Sequence, residues 1–369
     1  MRNNRLKDYF PVIREKEEIR REIENNLHLR EKFGVWNHEQ QELFLDFCSG
    51  VRGVKMLYDS FFKEIMNPEY TPERLNELLS LLIGEKVTIK EVLPNDSVRI
   101  ADESSLVILD MVVELNDGSI ANVEVQKLGY KFPGERAACY SADLLLRQYR
   151  RVKSASGKVF SYRNIKTVYT IVLYEKSPEI FKEHPERYLY EFCQRTDIEM
   201  EINLLQRYVF VSLDIFINML HNKGITSKLE AWLTFLASDV PEDIIMLVEE
   251  YPEFKELYED VYAMCMNTEK VMNMFSKELA QLDKNTVQYM IDEMQDEIDG
   301  MKQSISEKDS KIDGMKQQLE EKDREITDVI SEKDGIISEK DGIINEKDGI
   351  INDKDREIAI LKEKLKGLV

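Results

Sequence analysis

The residues best suited to chemistry in this sequence are two carboxylates and one amide: Asp110, Glu124 and Gln126. A predicted tight turn separates the two acids, and counting back from it along both strands places Asp110 opposite Glu124. Gln126 shares their face, because side chains two residues apart on a strand point to the same side. Directly opposed like charges destabilise a hairpin unless they are compensated. Mg²⁺ (or Mn²⁺) prefers oxygen ligands and would compensate them, so the pattern predicts a metal site.

A solvated outer face, with both acids merely hydrated, is the simpler interpretation of the same pattern. The neighbours on that face favour partial burial instead, because Ile108, Val112 and Ile120 are all apolar. Both interpretations remain open at this point.

A hairpin must position these side chains. Its strands are predicted at Leu106–Leu115 and Ile120–Lys127, joined by Asn116-Asp117-Gly118, where glycine can take the left-handed conformation. This turn pairs Leu115 with Ser119. The surrounding pattern predicts further elements: a strand at Val87–Leu93, a helix at Glu135–Lys153, and strands at Ile165–Tyr174 and Tyr208–Phe216. With a helix before the first strand, this order predicts a mixed α/β (α+β) fold.

A basic segment follows the hairpin. Between Lys127 and Lys166 there are ten Lys or Arg residues against two acids, a local excess of eight positive charges. Aromatic residues interleave with them, among them Tyr130, Phe132, Tyr140, Tyr149 and Tyr162. Such clusters neutralise phosphates and can stack on bases, which predicts DNA as a partner. The alternative is a solvated helix face with core tyrosines. The candidate DNA-binding residues are Lys127, Lys131, Arg136, Tyr140, Arg147, Arg150 and Arg151.

Several motifs in the same order resemble the PD-(D/E)XK nuclease family transposases. They are the helix YDSFFKEI, the strand with Asp110, the turn NDGS, the triplet Glu124-Val125-Gln126 and the helix FPGERAACYSADLLLRQY, within roughly residues 55–220. The resemblance implies a restriction-endonuclease-like αβββαβ core and Mg²⁺-dependent cleavage of DNA phosphodiester bonds. It also implies three metal ligands, namely Asp110, Glu124 and the carbonyl of Val125.

One position departs from the wider superfamily. Gln126 stands where that superfamily usually has lysine, a replacement that the transposase branch shares. A neutral amide can orient a water molecule by hydrogen bonding but carries no charge to stabilise a phosphoryl group. Lys63, with Asp59 one turn before it, is a further catalytic candidate. A surface ion pair between these two residues is the alternative.

Composition limits the remaining possibilities. The formal net charge of −20 argues against a chain that binds nucleic acid non-specifically over its whole surface. The four cysteines lie far apart and form no CxxC pair, so neither a zinc site nor a disulfide framework is predicted. The N-terminal segment is charged throughout, and no apolar run reaches membrane-spanning length. We therefore expect a soluble, cytoplasmic protein without a membrane span.

The C-terminal segment predicts a coiled coil. Ile298, Ile305, Ile312, Leu319 and Ile326 recur every seven residues, with methionines at several alternate positions. The series then shifts by four residues, a stutter, and continues from Ile330 to Ile358 through three EKDGII repeats. Self-association into a homo-oligomer is the predicted role, and a solvated single helix is the alternative.

These observations predict four regions and two possible functions. The regions are a helical extension (1–54), a nuclease-like core (55–220), a helical subdomain (221–291) and a coiled-coil tail (292–369). The first function is a Mg²⁺-dependent DNA endonuclease acting in transposition or recombination. The second is a catalytically silent DNA-binding or scaffold protein that keeps the nuclease fold and assembles through its tail.

Overall fold

A computed structural model describes residues 5–93, 111–127, 133–156, 159–192, 194–200 and 202–366. Two predicted site residues, Asp110 and Lys131, lie outside these ranges. The chain divides into two compact units, Met1–Met290 and Ile291–Val369. Within the described part, no helix combines the length and the apolar character that a membrane crossing needs.

A six-stranded mixed sheet lies in the first unit. Its strands are β1 (Ile89–Val92), β2 (Met111–Leu115), β3 (Ile120–Gln126), β4 (Val168–Tyr174), β5 (Leu189–Glu191) and β6 (Gln206–Ser212). Their spatial order is β1-β2-β3-β4-β6-β5. β3, β4 and β6 run parallel, and the other neighbouring strands pair antiparallel. The mixed α+β class predicted from the sequence is thereby confirmed.

The described part of the chain contains thirteen α-helices. They are α1 (Arg5–Tyr9), α2 (Lys16–Asn25), α3 (Leu27–Val35), α4 (His38–Cys48), α5 (Asp59–Ile65), α6 (Pro72–Ile83), α7 (Pro133–Ser156), α8 (Glu179–Lys182), α9 (Leu213–Lys223), α10 (Lys228–Ala237), α11 (Pro241–Glu250), α12 (Phe254–Cys265) and α13 (Thr268–Lys366).

The predicted hairpin register is confirmed wherever both of its strands are described. The backbone N–H of Leu115 donates to the carbonyl of Ser119 at 2.8 Å, and Met111 pairs with Val123. Gly118 has a φ of 87°, the left-handed conformation expected of the turn. Continuing the register by one more residue is what places Asp110 opposite Glu124, and that step remains a prediction.

The strand predicted at Tyr208–Phe216 is wrong beyond Ser212. β6 ends there and α9 begins at Leu213. Leu213, Phe216 and Leu220 are all buried, and their spacing of three and four residues is helical. The apolar content of this segment therefore belongs partly to a strand and partly to a helix.

The two faces of the sheet pack against different partners. On one face, α7 covers β2–β4 through Tyr140 and Leu144, which pack with Val112, Ile120 and Val168. The other face contributes to the large core that also holds most of the remaining helices. The charged N-terminal segment joins this core, because Leu6, Phe10 and Ile19 are fully buried.

A buried glutamine on α7 fixes the hairpin turn. The Gln148 side chain donates through Nε2 to the carbonyl of Gly118 at 3.1 Å. Its Oε1 accepts from the backbone N–H of Lys166, just before β4, at 2.7 Å. Asn116 in the same turn donates its backbone N–H to the carbonyl of Thr88 at 2.9 Å. The turn that aligns the site is therefore held from several sides.

The second unit consists of the later part of α13. Its seven-residue apolar series is helical, as predicted, and the apolar side chains of the series are exposed on this single chain. The coiled coil itself remains a prediction.

Candidate active site

Glu124 is the centre of the candidate site. It lies on β3, on the face that α7 covers, and only 2% of it is exposed. The strand alternation that buries it also brings Asn122 and Gln126 to the same face. The common face of Glu124 and Gln126 is as predicted. Of the two interpretations left open by the sequence, the described residues favour burial, since Val112 and Ile120 on the same face are buried as well.

Three side chains contact the Glu124 carboxylate. Gln126 Nε2 donates to Glu124 Oε1 at 3.0 Å, and Arg136 Nε lies 3.5 Å from the same oxygen. The hydroxyl of Tyr140 also bonds to this carboxylate. Burial raises the pKa of Glu124, and the Arg136 charge and the bonds from Gln126, Arg136 and Tyr140 oppose that rise only in part. Burial therefore disfavours the charged form of Glu124.

Several buried polar atoms around Glu124 have no hydrogen-bond partner within the described part of the chain. Glu124 Oε2 and Gln126 Oε1 are among them, together with Asn122 Oδ1 and the hydroxyl of Tyr174. An unsatisfied buried polar atom typically costs about 1–3 kcal/mol, so such atoms are uncommon unless a ligand or a water molecule uses them. Glu124 Oε2 and Gln126 Oε1 are hard oxygen donors, the type that Mg²⁺ and Mn²⁺ prefer. The chemistry of these donors fits a divalent cation.

The described residues alone do not complete a metal site. No group of three or more His, Cys, Asp or Glu side chains suited to a metal occurs among them. Asp110, the predicted second carboxylate, lies outside the described ranges, so its position beside Glu124 stays a prediction. Val125, whose carbonyl is the predicted third ligand, lies on β3 between the two polar residues.

Tyr174 belongs to this cluster, although no sequence motif predicted it. It is the register partner of Gln126 on β4 and is fully buried, with no hydrogen-bond partner for its hydroxyl in the described part. Burial and then the nearby charge of Glu124 raise the pKa of Tyr174. Within the apolar strand VYTIVLY a tyrosine looks like ordinary core. Only the parallel pairing of β3 and β4 reveals its neighbours.

Lys127 does not reach the candidate site. Its ammonium group is buried and pairs with the buried carboxylate of Glu278 on α13, and it lies 4.9 Å from the centre of the Tyr58 ring. The opposite orientation of Gln126 and Lys127 follows from strand alternation and was predicted. Because this cation is already paired in the core, we remove Lys127 from the candidate DNA contacts.

Tyr140 is likewise unsuited to contact a base. It is 2% exposed and packs between α7 and the sheet, with the Arg136 guanidinium 5.3 Å from its ring centre. Helical spacing explains this burial, because Ala137, Tyr140, Leu144 and Gln148 form the face of α7 that meets the sheet. The tyrosine therefore supports Glu124 rather than a DNA base.

The remaining basic candidates differ in their partners. Arg147 Nε lies 2.7 Å from Asp143 Oδ2, and Arg151 pairs with Glu114 on β2. Arg150 is exposed, as are Arg163 and Lys166 further along the chain. Arg163 and Lys166 are therefore exposed cations of the basic segment that were not among the candidate DNA-binding residues.

Lys63 and Asp59 form an ion pair of their own on α5. Lys63 Nζ lies 2.7 Å from Asp59 Oδ1, four residues away. α5 contributes Phe61 and Phe62 to the large core on the sheet face away from α7. In the part of the chain that the structure describes, neither residue contacts Glu124. Their catalytic role stays a prediction.

Comparison with known proteins gives one match. A family model described as PD-(D/E)XK nuclease family transposase matches residues 56–290, well over half of the chain. No curated protein and no solved structure matches the chain. The match includes the hairpin, the helix that covers it and the parallel strands beside it.

Proposed function

The chain belongs to the PD-(D/E)XK nuclease family transposases, and from this premise we propose that it is a metal-dependent DNA endonuclease acting in transposition or recombination. One observation supports the proposal most directly. Glu124 Oε2 and Gln126 Oε1 are buried oxygen atoms on one sheet face, and neither accepts a hydrogen bond in the described part. They are available to a cation or to an ordered water molecule.

Asp110, Glu124 and the carbonyl of Val125 would hold the cation, Mg²⁺ or Mn²⁺. When bound, such an ion polarises a phosphoryl oxygen and makes water a stronger nucleophile. Glu124 contributes a carboxylate whose protonation is favoured by burial, so it binds a cation better as the pH rises through its raised pKa.

Gln126 orients the carboxylate. Its amide N–H bond to Oε1 fixes the rotation of the Glu124 side chain, and Oε2 has no hydrogen-bond partner among the residues that the structure describes. Its own Oε1 can accept a hydrogen from a water molecule and so direct that water toward a phosphate. Gln126 therefore positions groups and supplies no positive charge.

Arg136 supplies a positive charge beside the site. Its side chain is 35% exposed and lies 3.5 Å from Glu124, so it faces both the carboxylate and solvent. A guanidinium binds phosphate oxygen atoms well, and we assign it to the phosphate at the cleaved bond. Arg147, Arg150 and Arg151 on α7, with Lys131, would contact neighbouring phosphates.

Self-association through the later part of α13 completes the proposal. Recombination requires two DNA sites to be processed together, and a chain with one candidate site needs a second copy. Sedimentation equilibrium of the full-length protein tests this part separately, since a monomer at tens of micromolar would contradict it.

A second candidate function is a silent DNA-binding or scaffold protein. It is favoured by the Arg136–Glu124 ion pair, because a guanidinium can neutralise the carboxylate in place of a metal. In that case DNA binding and assembly would be retained without cleavage.

Plasmid cleavage separates the two functions. Purified protein is incubated with supercoiled plasmid in Mg²⁺, in Mn²⁺ or in EDTA, beside Asp110→Ala and Glu124→Ala. Glu179→Gln is the matched control, since this acid is 88% exposed and lies on α8. We expect metal-dependent cleavage by the wild type and the control, and none by the two alanine variants. Equal cleavage by all four proteins would refute the site, and no cleavage with intact DNA binding would favour the scaffold.

A further inference from the structure

Most apolar side chains of the second unit lie on one seam along α13, and Val329, Ile336, Ile343, Ile350 and Ile360 lie beside it. The seam starts at Ile291 and advances by alternate steps of three and four residues as far as Ile326. A second consecutive step of four leads to Ile330, and the alternation then resumes to Leu361. Its apolar members are between 41% (Ile298) and 67% (Leu319) exposed. Exposed apolar seams of this length are stabilised by pairing with another helix.

The step pattern of this seam is symmetric about Ile326. Counted outward from that residue, both directions advance by four, three, four, three, and so on through ten further positions. Ile291 and Leu361 are the two ends, each 35 residues from Ile326. The stutter, formed by the two consecutive steps of four on either side of Ile326, is therefore the centre of symmetry of the step pattern. Two copies running in opposite directions can therefore match every seam position.

The lysines of the seam distinguish the two possible orientations. Six seam positions carry lysine instead of an apolar residue: Lys308, Lys322, Lys333, Lys340, Lys347 and Lys354. Parallel, in-register pairing would set each of them against its own copy, giving six layers of opposed like charge. Antiparallel pairing about Ile326 sets Lys322 against Ile330 and Leu319 against Lys333. The other four lysines also meet isoleucine, at positions 298, 305, 312 and 344.

A lysine opposite an aliphatic side chain is a tolerable arrangement. Its four methylene groups cover the apolar partner while the ammonium group stays in water. The charged residues that flank the seam favour neither orientation strongly. Antiparallel pairing sets Lys302 beside Asp355 and Lys316 beside Asp341, but it also brings together two like-charged aspartate pairs, Asp309 with Asp348 and Asp323 with Asp334.

The glycines of the tail explain why a partner is needed. Gly300, Gly314, Gly335, Gly342 and Gly349 all lie off the seam, and an added Cβ would meet nothing within 4 Å at any of them. Each lowers helix stability by about 1 kcal/mol relative to alanine. A single helix with this composition is weak, so its stability has to come from packing.

We propose that the tail pairs with a second copy of this chain as an antiparallel coiled coil, with its two-fold axis at Ile326. The inference rests on the self-association proposed above and does not depend on DNA cleavage. It specifies the register, because residue 294 of one copy then faces residue 358 of the other. The EKDGII repeats of each copy pair with the first heptads of its partner.

Disulfide formation in the full-length protein tests the orientation and register. Three variants are made, Met294→Cys, Ile358→Cys and Ile326→Cys, and each is oxidised alone. The first two are also mixed, denatured briefly, refolded together and oxidised. Wild-type protein treated in the same way shows any dimer formed through Cys139, which is exposed. Mass spectrometry identifies which peptides are joined.

Antiparallel pairing predicts a 294–358 disulfide only in the mixed sample and a 326–326 disulfide in the Ile326→Cys sample. Met294→Cys and Ile358→Cys alone should show no dimer above the wild-type level. A 294–294 or 358–358 disulfide would establish parallel pairing and overturn the inference. Absence of the 294–358 disulfide would overturn it as well, whether or not residue 326 becomes joined.

Discussion

Replacing Lys127 with methionine should destabilise the protein strongly. Lys127 and Glu278 are 6% and 1% exposed, and removal of the lysine leaves a carboxylate buried without its cation. Removing one partner of a buried pair costs about 3–5 kcal/mol. The backbone N–H of Ser60 still donates to Glu278 at 2.9 Å, which favours the lower half of that range. Even so, about 3 kcal/mol is a large part of a typical total stability of about 5–15 kcal/mol.

Urea unfolding of four proteins measures the effect. They are the wild type, Lys127→Met, Glu278→Gln and the double variant, and DNA binding is titrated against salt for each. The double variant should recover most of the loss, because replacing both members of a buried pair is often nearly neutral. The reasoning is refuted if Lys127→Met unfolds at the wild-type midpoint. If the salt dependence of DNA binding by that variant also falls by about one unit of slope, Lys127 contacts a phosphate and its removal from the DNA surface is wrong as well.

Four further predictions concern the candidate site and the DNA surface. Burial raises the pKa of Glu124, so the folded state binds its proton more tightly than the unfolded state does. The free energy of unfolding should therefore fall as the pH rises from the ordinary carboxyl pKa through the raised one. Glu124→Gln should remove that fall, as measured by urea unfolding without metal at a series of pH values. Tyr174→Phe removes a buried hydroxyl that has no partner in the described part, so it should leave the urea midpoint unchanged or slightly raised. A clearly lower midpoint would show that this hydroxyl is hydrogen-bonded and would contradict its description as unpaired. Gln126→Lys should retain cleavage and Gln126→Leu should lower it, since leucine cannot orient the carboxylate; equal rates in single-turnover assays would contradict the assigned role. Arg150→Glu should weaken DNA binding and reduce its salt slope, measured by fluorescence anisotropy, whereas Glu179→Gln should change neither.

The hairpin was predictable because its information is local. Asn116, Asp117 and Gly118 determine the turn, and the turn determines which residues oppose one another. The common face of Glu124 and Gln126 then follows from the period of a strand. Burial of Tyr140 was also available from the sequence, since the spacing from Ala137 to Gln148 marks one helix face.

Other features depend on contacts that no local pattern contains. Glu278, the partner of Lys127, is 151 residues away in the chain, so a lysine in a basic segment gave no sign of its burial. Tyr174 joins the site only through parallel pairing across a long crossover. The change from strand to helix at Leu213 was missed because an apolar segment with few polar residues fits both periods.

The anchored hairpin turn has a practical consequence for protein engineering. Exposed two- or three-residue turns are usually the first places considered for inserting a tag or a second domain. Here Gln148 and Thr88 hold the turn through the backbone of Gly118 and Asn116, and the same turn sets the pairing on which Glu124 depends. An insertion between Asn116 and Ser119 would release these bonds and allow the strands to slip by a residue, which would turn the carboxylate to the opposite face. Reporter insertions should therefore avoid this turn, however accessible its side chains are.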